Sequence, residues 1–146
     1  FKKVTDIPYG RYLIHQDDKN LFNIQIDVFS FNYSGKIHCH NTWGILHVFN
    51  GFLFVEDWNK TKEEPFILRG GLVLKDGSSQ SFCPPISDWH KVSTGESLHQ
   101  TISMHIYGNN FNLNKGIYLD DDFEQIEGNR SEFKDIKTIN KIVQCY

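Results

Sequence analysis

The sequence predicts a single all-β domain, built as a closed barrel or sandwich of short strands. Twelve Phe and six Tyr against one Met favour packed sheet over a helical bundle. Short runs of β-branched and aromatic residues recur between turn signals, and almost no segment has helical periodicity. A chain of 146 residues, 39% of them hydrophobic, supports one core rather than two, so we expect one domain over 1–146.

In the first half of the chain, strands are marked by their composition and by the turns beside them. Residues 21–33 are rich in β-branched and aromatic types and predict one strand, and residues 37–40 predict a second. Residues 43–56 predict two strands joined at Asn50-Gly51, a dipeptide favoured in tight hairpin turns.

In the second half, the signals are less regular. Residues 57–65 are polar and predict a loop, and residues 69–71 (Arg-Gly-Gly) predict a break between two short strands. Residues 100–107 alternate in chemistry and predict a strand. Residues 131–143 are compatible with a terminal helix or a covering strand, so a few short helices at the termini are expected.

Charge and composition argue against several classes of partner. A net charge of −3 gives no reason to expect nucleic acid or a membrane surface, and no apolar run approaches the roughly 20 residues that span a bilayer. Cys39, Cys83 and Cys145 are an odd set without CxxC spacing, so we expect no disulfide framework and a reducing cytoplasm. The chain begins at Phe1 without a methionine, which leaves open an N-terminal segment before it.

Three histidines form the first candidate site. Side chains two apart on a strand share a face, so His38 and His40 can converge on one ion while Cys39 points away. His90, on a separate predicted strand after a proline-bounded turn, offers a third imidazole. Neutral imidazoles suit iron, zinc, copper or nickel, so the residue types do not choose the metal.

A second group lies on the predicted strand 100–107. Ser103, His105 and Tyr107 share one face, and a hydroxyl, an imidazole and a phenol in line can form a hydrogen-bonded relay ending at Tyr107. A nucleophilic triad is a poorer interpretation, because the sequence positions no Asp or Glu and no nucleophile elbow surrounds Ser103. A barrel strand with a polar inner face and no catalytic role also accounts for the pattern.

The spacing of the histidines resembles the two motifs of the cupin superfamily. The matching positions are Gly35, His38, His40 and Gly51 for the first motif and Pro85, Ser87, His90 and Thr94 for the second. The resemblance implies a cupin-type double-stranded β-helix, a jelly-roll barrel. Gly44 stands in the slot that a glutamate ligand usually fills. Three neutral ligands leave the charge of a metal uncompensated, which favours a substrate that brings its own negative charge, such as a thiolate.

The combined segments resemble the thiol dioxygenases, the cupin group that contains cysteine dioxygenase and 3-mercaptopropionate dioxygenase. The resemblance rests on IHCHNTWGILHVFNG, DWHKV and TISMHIYG, and extends from about Tyr9 to about Asn110. It implies that an iron(II) ion and O2 oxidise the sulfur of a small thiol to a sulfinate. The implied assignments are metal ligands His38, His40 and His90, and catalytic residues Ser103, His105 and Tyr107. Some members link the tyrosine to a cysteine, but the matching position here is Gly44, so no cross-link is expected.

The same resemblance implies a substrate-binding segment. Tyr9-Gly10-Arg11 is similar to the segment where cysteine dioxygenases carry a carboxylate-binding arginine, a position that is often Gln in relatives that prefer 3-mercaptopropionate. A guanidinium matches a carboxylate with two hydrogen bonds, so Arg11 and the adjacent Tyr9 are predicted to bind substrate, although a solvated surface arginine is the alternative. Trp43, just after the HxH, is the third predicted substrate-binding residue. It resembles the 3-mercaptopropionate dioxygenases more than the cysteine dioxygenases, so the resemblance does not choose between the two thiols.

A function of a different class also stays open. The same barrel can serve as a small-molecule binding or sensing module, with a metal but no oxygenase activity. The Ser103-His105-Tyr107 pattern argues against this alternative, because a passive binder has no need of such a relay. The sequence leaves the oligomeric state open, and a monomer is compatible with it.

Overall fold

The computed structural model describes residues 9–59, 66–85, 88–96, 100–109 and 111–138 of the chain. Within these ranges the chain forms eleven strands and one short 3-10 helix, Ile136–Thr138. The strands are β1 (Gly10–Gln16), β2 (Phe22–Phe29), β3 (His38–Cys39), β4 (Gly44–Asn50), β5 (Phe52–Asn59), β6 (Ile67–Lys75), β7 (Ser79–Phe82), β8 (His90–Ser93), β9 (Thr101–Gly108), β10 (Lys115–Leu119) and β11 (Gln125–Asn129).

The strands form two antiparallel sheets. One sheet has five strands in the order β1-β2-β9-β4-β7, and the other has six in the order β11-β10-β3-β8-β5-β6. Strands that are distant in sequence therefore lie side by side, since β2 pairs with β9 and β3 pairs with β8. The predicted all-β class is confirmed.

The two strands predicted on either side of Asn50-Gly51 are present as β4 and β5, but the hairpin that the dipeptide favours is wrong, because β4 and β5 lie in different sheets and do not pair with each other. Gly51 joins β4 to β5 with a φ of 86°, a conformation that favours glycine, and an added Cβ would lie 2.6 Å from Thr101 Oγ1. The predicted strand over 100–107 corresponds to β9. The predicted strand over 21–33 ends early, at Phe29, because the chain turns at Asn32, which has a φ of 54°.

The predicted break at residues 69–71 is wrong. Strand β6 runs unbroken through these residues and pairs with β5 over its whole length. The register shifts between Asp57 and Trp58, so Arg69 is an extra residue on its strand, as in a β-bulge. Residues 57–59, which the sequence assigned to a loop, belong to β5, and the rest of that segment, up to Pro65, lies outside the described residues.

Three strands were not predicted from the sequence, namely β1, β10 and β11. In the predicted tail element, Phe133 forms a parallel bridge with Arg11 and the 3-10 helix follows, so both a covering contact and a short helix are present. Residues beyond Thr138 lie outside the described part. Among the described residues, we find no helix with the length and apolar character that a bilayer crossing requires.

Apolar and polar halves divide the space between the sheets. The apolar core draws on both sheets and consists of Phe29, Leu46, Val48, Leu53, Val55, Leu74 and Val92. Strands β2 and β9 instead turn polar side chains inward, since Asn23, Gln25, Asp27, Ser103 and His105 are all buried. Burying polar groups is costly unless they find partners, so this half of the interior is where a functional site is expected.

Candidate metal centre

The pairing of β3 with β8 brings the three predicted histidine ligands together. His38 lies directly opposite His90 in the strand register, and His40 follows β3 immediately. One ring nitrogen from each of the three lies within 4.8 Å of the others. The ring centroids are 4.5 Å apart for His38 and His90, and 5.0 Å apart for His40 and His90. We call these residues the three-histidine group.

Hydrogen bonds fix the tautomers of two of these rings. His38 Nδ1 lies 2.8 Å from the Lys36 carbonyl oxygen, and His90 Nδ1 lies 2.8 Å from the Asp88 carbonyl oxygen. Carbonyl oxygens only accept, so each Nδ1 carries the proton and each Nε2 keeps its lone pair. His40 Nε2 is buried and has no hydrogen-bond partner among the described residues. These are the features of metal-ligating histidines, so the group can hold an ion such as iron, zinc, copper or nickel.

Burial keeps these imidazoles neutral. Loss of hydration lowers the pKa of His38 and of His40 well below the usual value, and the neighbouring imidazoles lower both further. The pKa of His90 is lowered to about 4, mainly by burial. Neutral rings are the form that ligates metals, so the group is ready to bind an ion at neutral pH.

Asp88 supports the group and was not predicted as a site residue. Its carboxylate accepts the backbone N–H of His40 at 2.9 Å and that of Asn41 at 3.0 Å. Asn41 has a φ of 56°, so this contact holds the turn that directs the chain after His40. The one sequence signal was the position of an acidic residue two before His90.

Phe82 fills the space beside Gly44, where the cupin motif usually has a glutamate. A Cβ on Gly44 would lie 2.1 Å from the Phe82 ring, which in turn lies 5.0 Å from the His90 ring and 5.4 Å from the His40 ring. A side chain at position 44 would therefore displace Phe82. The packing explains why the chain offers three neutral ligands and no carboxylate at this position.

The predicted relay on β9 is formed and is fully buried. His105 Nε2 lies 2.8 Å from Ser103 Oγ, and His105 Nδ1 lies 3.0 Å from the Tyr107 hydroxyl. Burial lowers the pKa of His105 and raises that of Tyr107, so the imidazole is neutral and the phenol keeps its proton. The rings of Tyr107 and His40 are 4.5 Å apart, so the relay ends beside the three-histidine group.

The two groups face one cavity of about 100 Å³, smaller than the ~150 Å³ cavity that holds one benzene molecule. Its lining also includes Tyr9, Arg11, Asp27 and Arg130. The Tyr9 hydroxyl donates to Asp27 Oδ2 at 3.0 Å. Trp43 does not line this cavity; it is 40% exposed and packs over Gly108. The structure therefore brings two of the three predicted substrate-binding residues to the cavity.

Arg11 reaches the cavity with its guanidinium already engaged. It is 3% exposed, Nη1 donates to the Ser131 carbonyl at 2.8 Å, and Nη2 donates to Gln25 Oε1 at 3.0 Å. The guanidinium also lies 4.3 Å from the centre of the Phe133 ring. The alternative of a solvated surface arginine is thus excluded.

Asp27 and Arg130 line the cavity and were missed by the sequence interpretation. Asp27 lies on the inward face of β2. The sequence did carry a signal for it, because polar residues occupy every second position of that strand, at Asn23, Gln25 and Asp27. Arg130 follows β11, a strand without a sequence signal, and only the fold brings it to the cavity. Cys39 is buried but is not part of the cavity lining.

Comparison with known proteins identifies the fold. No protein-family model matches the chain. A protein of unknown function with a cupin-like fold from Ralstonia eutropha is 10% identical with a TM-score of 0.58, covering 94% of this chain and 71% of its own. An RmlC-like cupin protein, also from Ralstonia eutropha, is 15% identical with a TM-score of 0.55, covering 84% and 73%.

A cupin superfamily protein from Desulfitobacterium hafniense is 10% identical with a TM-score of 0.52, covering 71% of this chain and 80% of its own. At such identities the similarity concerns the fold. The chain therefore has the cupin fold, with three histidines at its cavity that can bind a metal ion.

Proposed function

We propose that the chain is an iron(II)-dependent thiol dioxygenase that converts a small thiol, cysteine or 3-mercaptopropionate, to its sulfinate. The observation that carries the proposal is the meeting of the three-histidine group and the Ser103–His105–Tyr107 relay at one small cavity. A molecule held at the histidines would lie beside the phenol of Tyr107, whose ring is 4.5 Å from that of His40.

The proposed reaction balances without an external reductant. A thiol and dioxygen combine as RSH + O2 → RSO2H, in which sulfur loses four electrons, dioxygen gains four, and both oxygen atoms end on sulfur. The proton of the thiol ends on the sulfinic acid. Iron(II) held by His38, His40 and His90 would supply the redox chemistry that lets a spin-paired thiol react with O2.

The protein contributes charge selection and confinement. Because the three imidazoles are neutral, they would leave the charge of a bound iron(II) ion uncompensated, which suits an anionic thiolate. The volume of about 100 Å³ limits the substrate to a small molecule and excludes bulk water once it is bound. The charge therefore favours a thiolate, and the volume favours a short thiol over a peptide or a bulky one.

Tyr107 is the proposed acid–base residue. Its raised pKa keeps the O–H as a donor, and His105 Nδ1, 3.0 Å away, can hold or return its proton. Ser103 occupies the other nitrogen of His105 at 2.8 Å and so orients the ring. The phenol can therefore orient a reacting group by a hydrogen bond and exchange a proton with it at the hydroxyl oxygen.

The test is metal analysis of protein purified without oxygen, followed by oxygen uptake with cysteine and with 3-mercaptopropionate. We expect iron, consumption of one O2 per thiol, and a product heavier by two oxygen atoms. Replacement of His90 by Ala should remove both metal and uptake.

Iron-loaded protein that consumes no oxygen with either thiol would contradict the proposal. Full occupancy by zinc with no turnover would favour instead a cupin that binds or senses a small molecule.

A further inference from the structure

We propose that Arg130 selects an acidic ligand, by binding the carboxylate of the thiol substrate with its guanidinium. The inference rests on the proposed function and names the residue that would distinguish a mercapto acid from a neutral thiol. It moves the carboxylate contact away from Arg11, to which family resemblance assigns it, and onto a residue that follows β11.

The charge of Arg130 is not balanced by an ion pair, since the ion pairs between basic and acidic side chains of the described residues do not include it. Its half-buried guanidinium lies at a cavity whose histidines are neutral, and burial lowers its pKa. The carboxylate of Asp27 also lines the cavity, but it accepts the Tyr9 hydroxyl at 3.0 Å and lies 3.8 Å from His105 Nε2. A cation without an anionic partner favours an anionic ligand.

Arg130 also has free hydrogen-bond donors at the cavity. Arg130 Nε donates to the carbonyl oxygens of Asn112 and Lys115, at 3.0 and 2.8 Å, which fixes the side chain. The guanidinium carbon lies 4.5 Å from the centre of the Phe111 ring, and that ring stacks on Tyr107 at 4.0 Å. Nη1 has no hydrogen-bond partner among the described residues, so one terminal amine is available at once.

The second terminal amine, Nη2, makes one contact among the described residues, at 3.3 Å from His40 Nδ1. Each terminal amine of a guanidinium carries two N–H groups, so Nη2 keeps one donor besides this contact. Both terminal amines can therefore address one carboxylate.

Arg11 has less of this freedom, because both of its terminal amines are engaged. Nη1 donates to the carbonyl oxygens of Ser131 and Leu113, at 2.8 and 3.4 Å, and Nη2 donates to Gln25. The bond to Ser131 holds the residue that follows Arg130. The backbone oxygen of Arg11 also accepts the N–H of Lys134 at 2.8 Å. We assign Arg11 a positioning role, as the residue that holds the segment carrying Arg130 against β1.

The experiment compares two thiols of the same shape, 3-mercaptopropionate and its uncharged amide, 3-mercaptopropanamide. Each is titrated into cobalt(II)-loaded protein without oxygen, and the dissociation constant is read from the thiolate-to-cobalt absorption band. We expect wild-type protein to bind the acid about 10- to 100-fold more tightly than the amide, the usual range for hydrogen bonds to a charged group. Arg130→Gln should reduce this ratio to about one, by weakening the acid alone.

Two further variants control for position and folding. Arg69→Gln is the matched control, because Arg69 lies on β6 with Nη1 3.8 Å from Asp57 Oδ2, and it should keep the wild-type ratio. Arg130→Lys keeps the charge but loses the fork of donors, so its ratio should be intermediate. If Arg130→Gln binds less cobalt than wild type, the inference is tested by the ratio of the two dissociation constants in Arg130→Lys.

If Arg130→Gln keeps the wild-type preference for the acid over the amide, the inference is overturned and the proposed function still stands. If Arg11→Gln loses that preference while Arg130→Gln keeps it, Arg11 binds the carboxylate and the inference is also overturned. Failure of wild-type protein to bind either thiol would contradict the proposed function itself.

Discussion

Among the described residues, four histidines line the cavity, and they differ in what their ring nitrogens contact. His105 on β9 uses both nitrogens for hydrogen bonds, to Ser103 and to Tyr107. His38 and His90 each use Nδ1 for a backbone carbonyl, and His40 Nε2 is buried with no hydrogen-bond partner in the described part of the chain. Burial lowers the pKa of all four, so a lowered pKa does not distinguish them.

The difference lies in the hydrogen bonds that are left unmade. Leaving a buried nitrogen unpaired costs about 1–3 kcal/mol, so an unpaired group persists where a ligand satisfies it. The three-histidine group thus has a lone pair that a metal ion could satisfy, whereas the hydrogen bonds of the relay are complete without one.

The largest expected effect is on metal content. His90→Ala removes one of three ligands, and we expect the metal bound per chain to fall from about one to near zero after dialysis. Elemental analysis measures it. His47→Ala is the control, because His47 bonds to Ser79 Oγ outside the cavity; equal metal content in the two variants would refute the assignment of His90.

The next effect is on the relay side. Tyr107→Phe removes one hydroxyl but no metal ligand, so metal content should stay at the wild-type level. Turnover with the preferred thiol should fall by about 100-fold, the scale of lost general acid–base catalysis. Steady-state oxygen uptake measures the loss. If Tyr107→Phe instead loses its metal, the relay also contributes to metal binding, and its role is not distinct from that of the three-histidine group.

A smaller effect is expected on stability as the pH changes. In metal-free protein, unfolded histidines bind protons below about pH 6.5, but buried His90 does so only below about pH 4. The free energy of unfolding should therefore be highest above pH 6.5 and fall as the pH decreases towards 4, by about 1.4 kcal/mol per pH unit for each buried histidine. Urea unfolding at several pH values measures this slope.

His105→Gln should reduce the pH dependence of the free energy of unfolding, because burial lowers the pKa of His105 as it does for the three predicted ligands. His47→Gln serves as the control, since its ring lies outside the cavity. A free energy of unfolding that is flat from pH 7 to pH 5 would show that the four rings are not buried as neutral groups.

The smallest effect is expected at Cys39, next to both ligands but on the opposite face of the strand. Its side chain is 2% exposed, and burial raises the pKa of the thiol to about 12, so the sulfur stays protonated. Cys39→Ala should lower the free energy of unfolding by about 1 kcal/mol and leave metal content unchanged. Loss of metal in this variant would mean that the sulfur takes part in the site.

Strand periodicity explains why so much of the site was predictable. The HxH and the Ser103-His105-Tyr107 pattern each place side chains on one face by a spacing of two, a local rule that tertiary structure need not supply. Turn chemistry did the same for the turn at Gly51, although only the fold shows that β4 and β5 enter different sheets and form no hairpin. Local rules failed at residues 69–71, because a bulge in a paired strand and a break between two strands have the same glycine signal.

Other residues could not be predicted because their roles depend on contacts between distant segments. Asp88 binds the backbone of His40, 48 residues away, and Arg130 approaches His40 across 90 residues. No spacing rule connects such positions. Likewise, Trp43 is next to the HxH in sequence, yet its indole packs over Gly108 outside the cavity.

Residue types and strand periodicity were enough to predict an all-β chain with three candidate metal ligands and a polar relay, because the ligands and the relay depend on which face of a strand a side chain occupies. The pairing of β3 with β8 at His38 and His90, and the packing of Phe82 beside Gly44, follow only from the fold. So do the bonds that engage Arg11 and the donors that Arg130 keeps free at the cavity. Pairing of distant strands sets these contacts, and that pairing is a property of the whole fold.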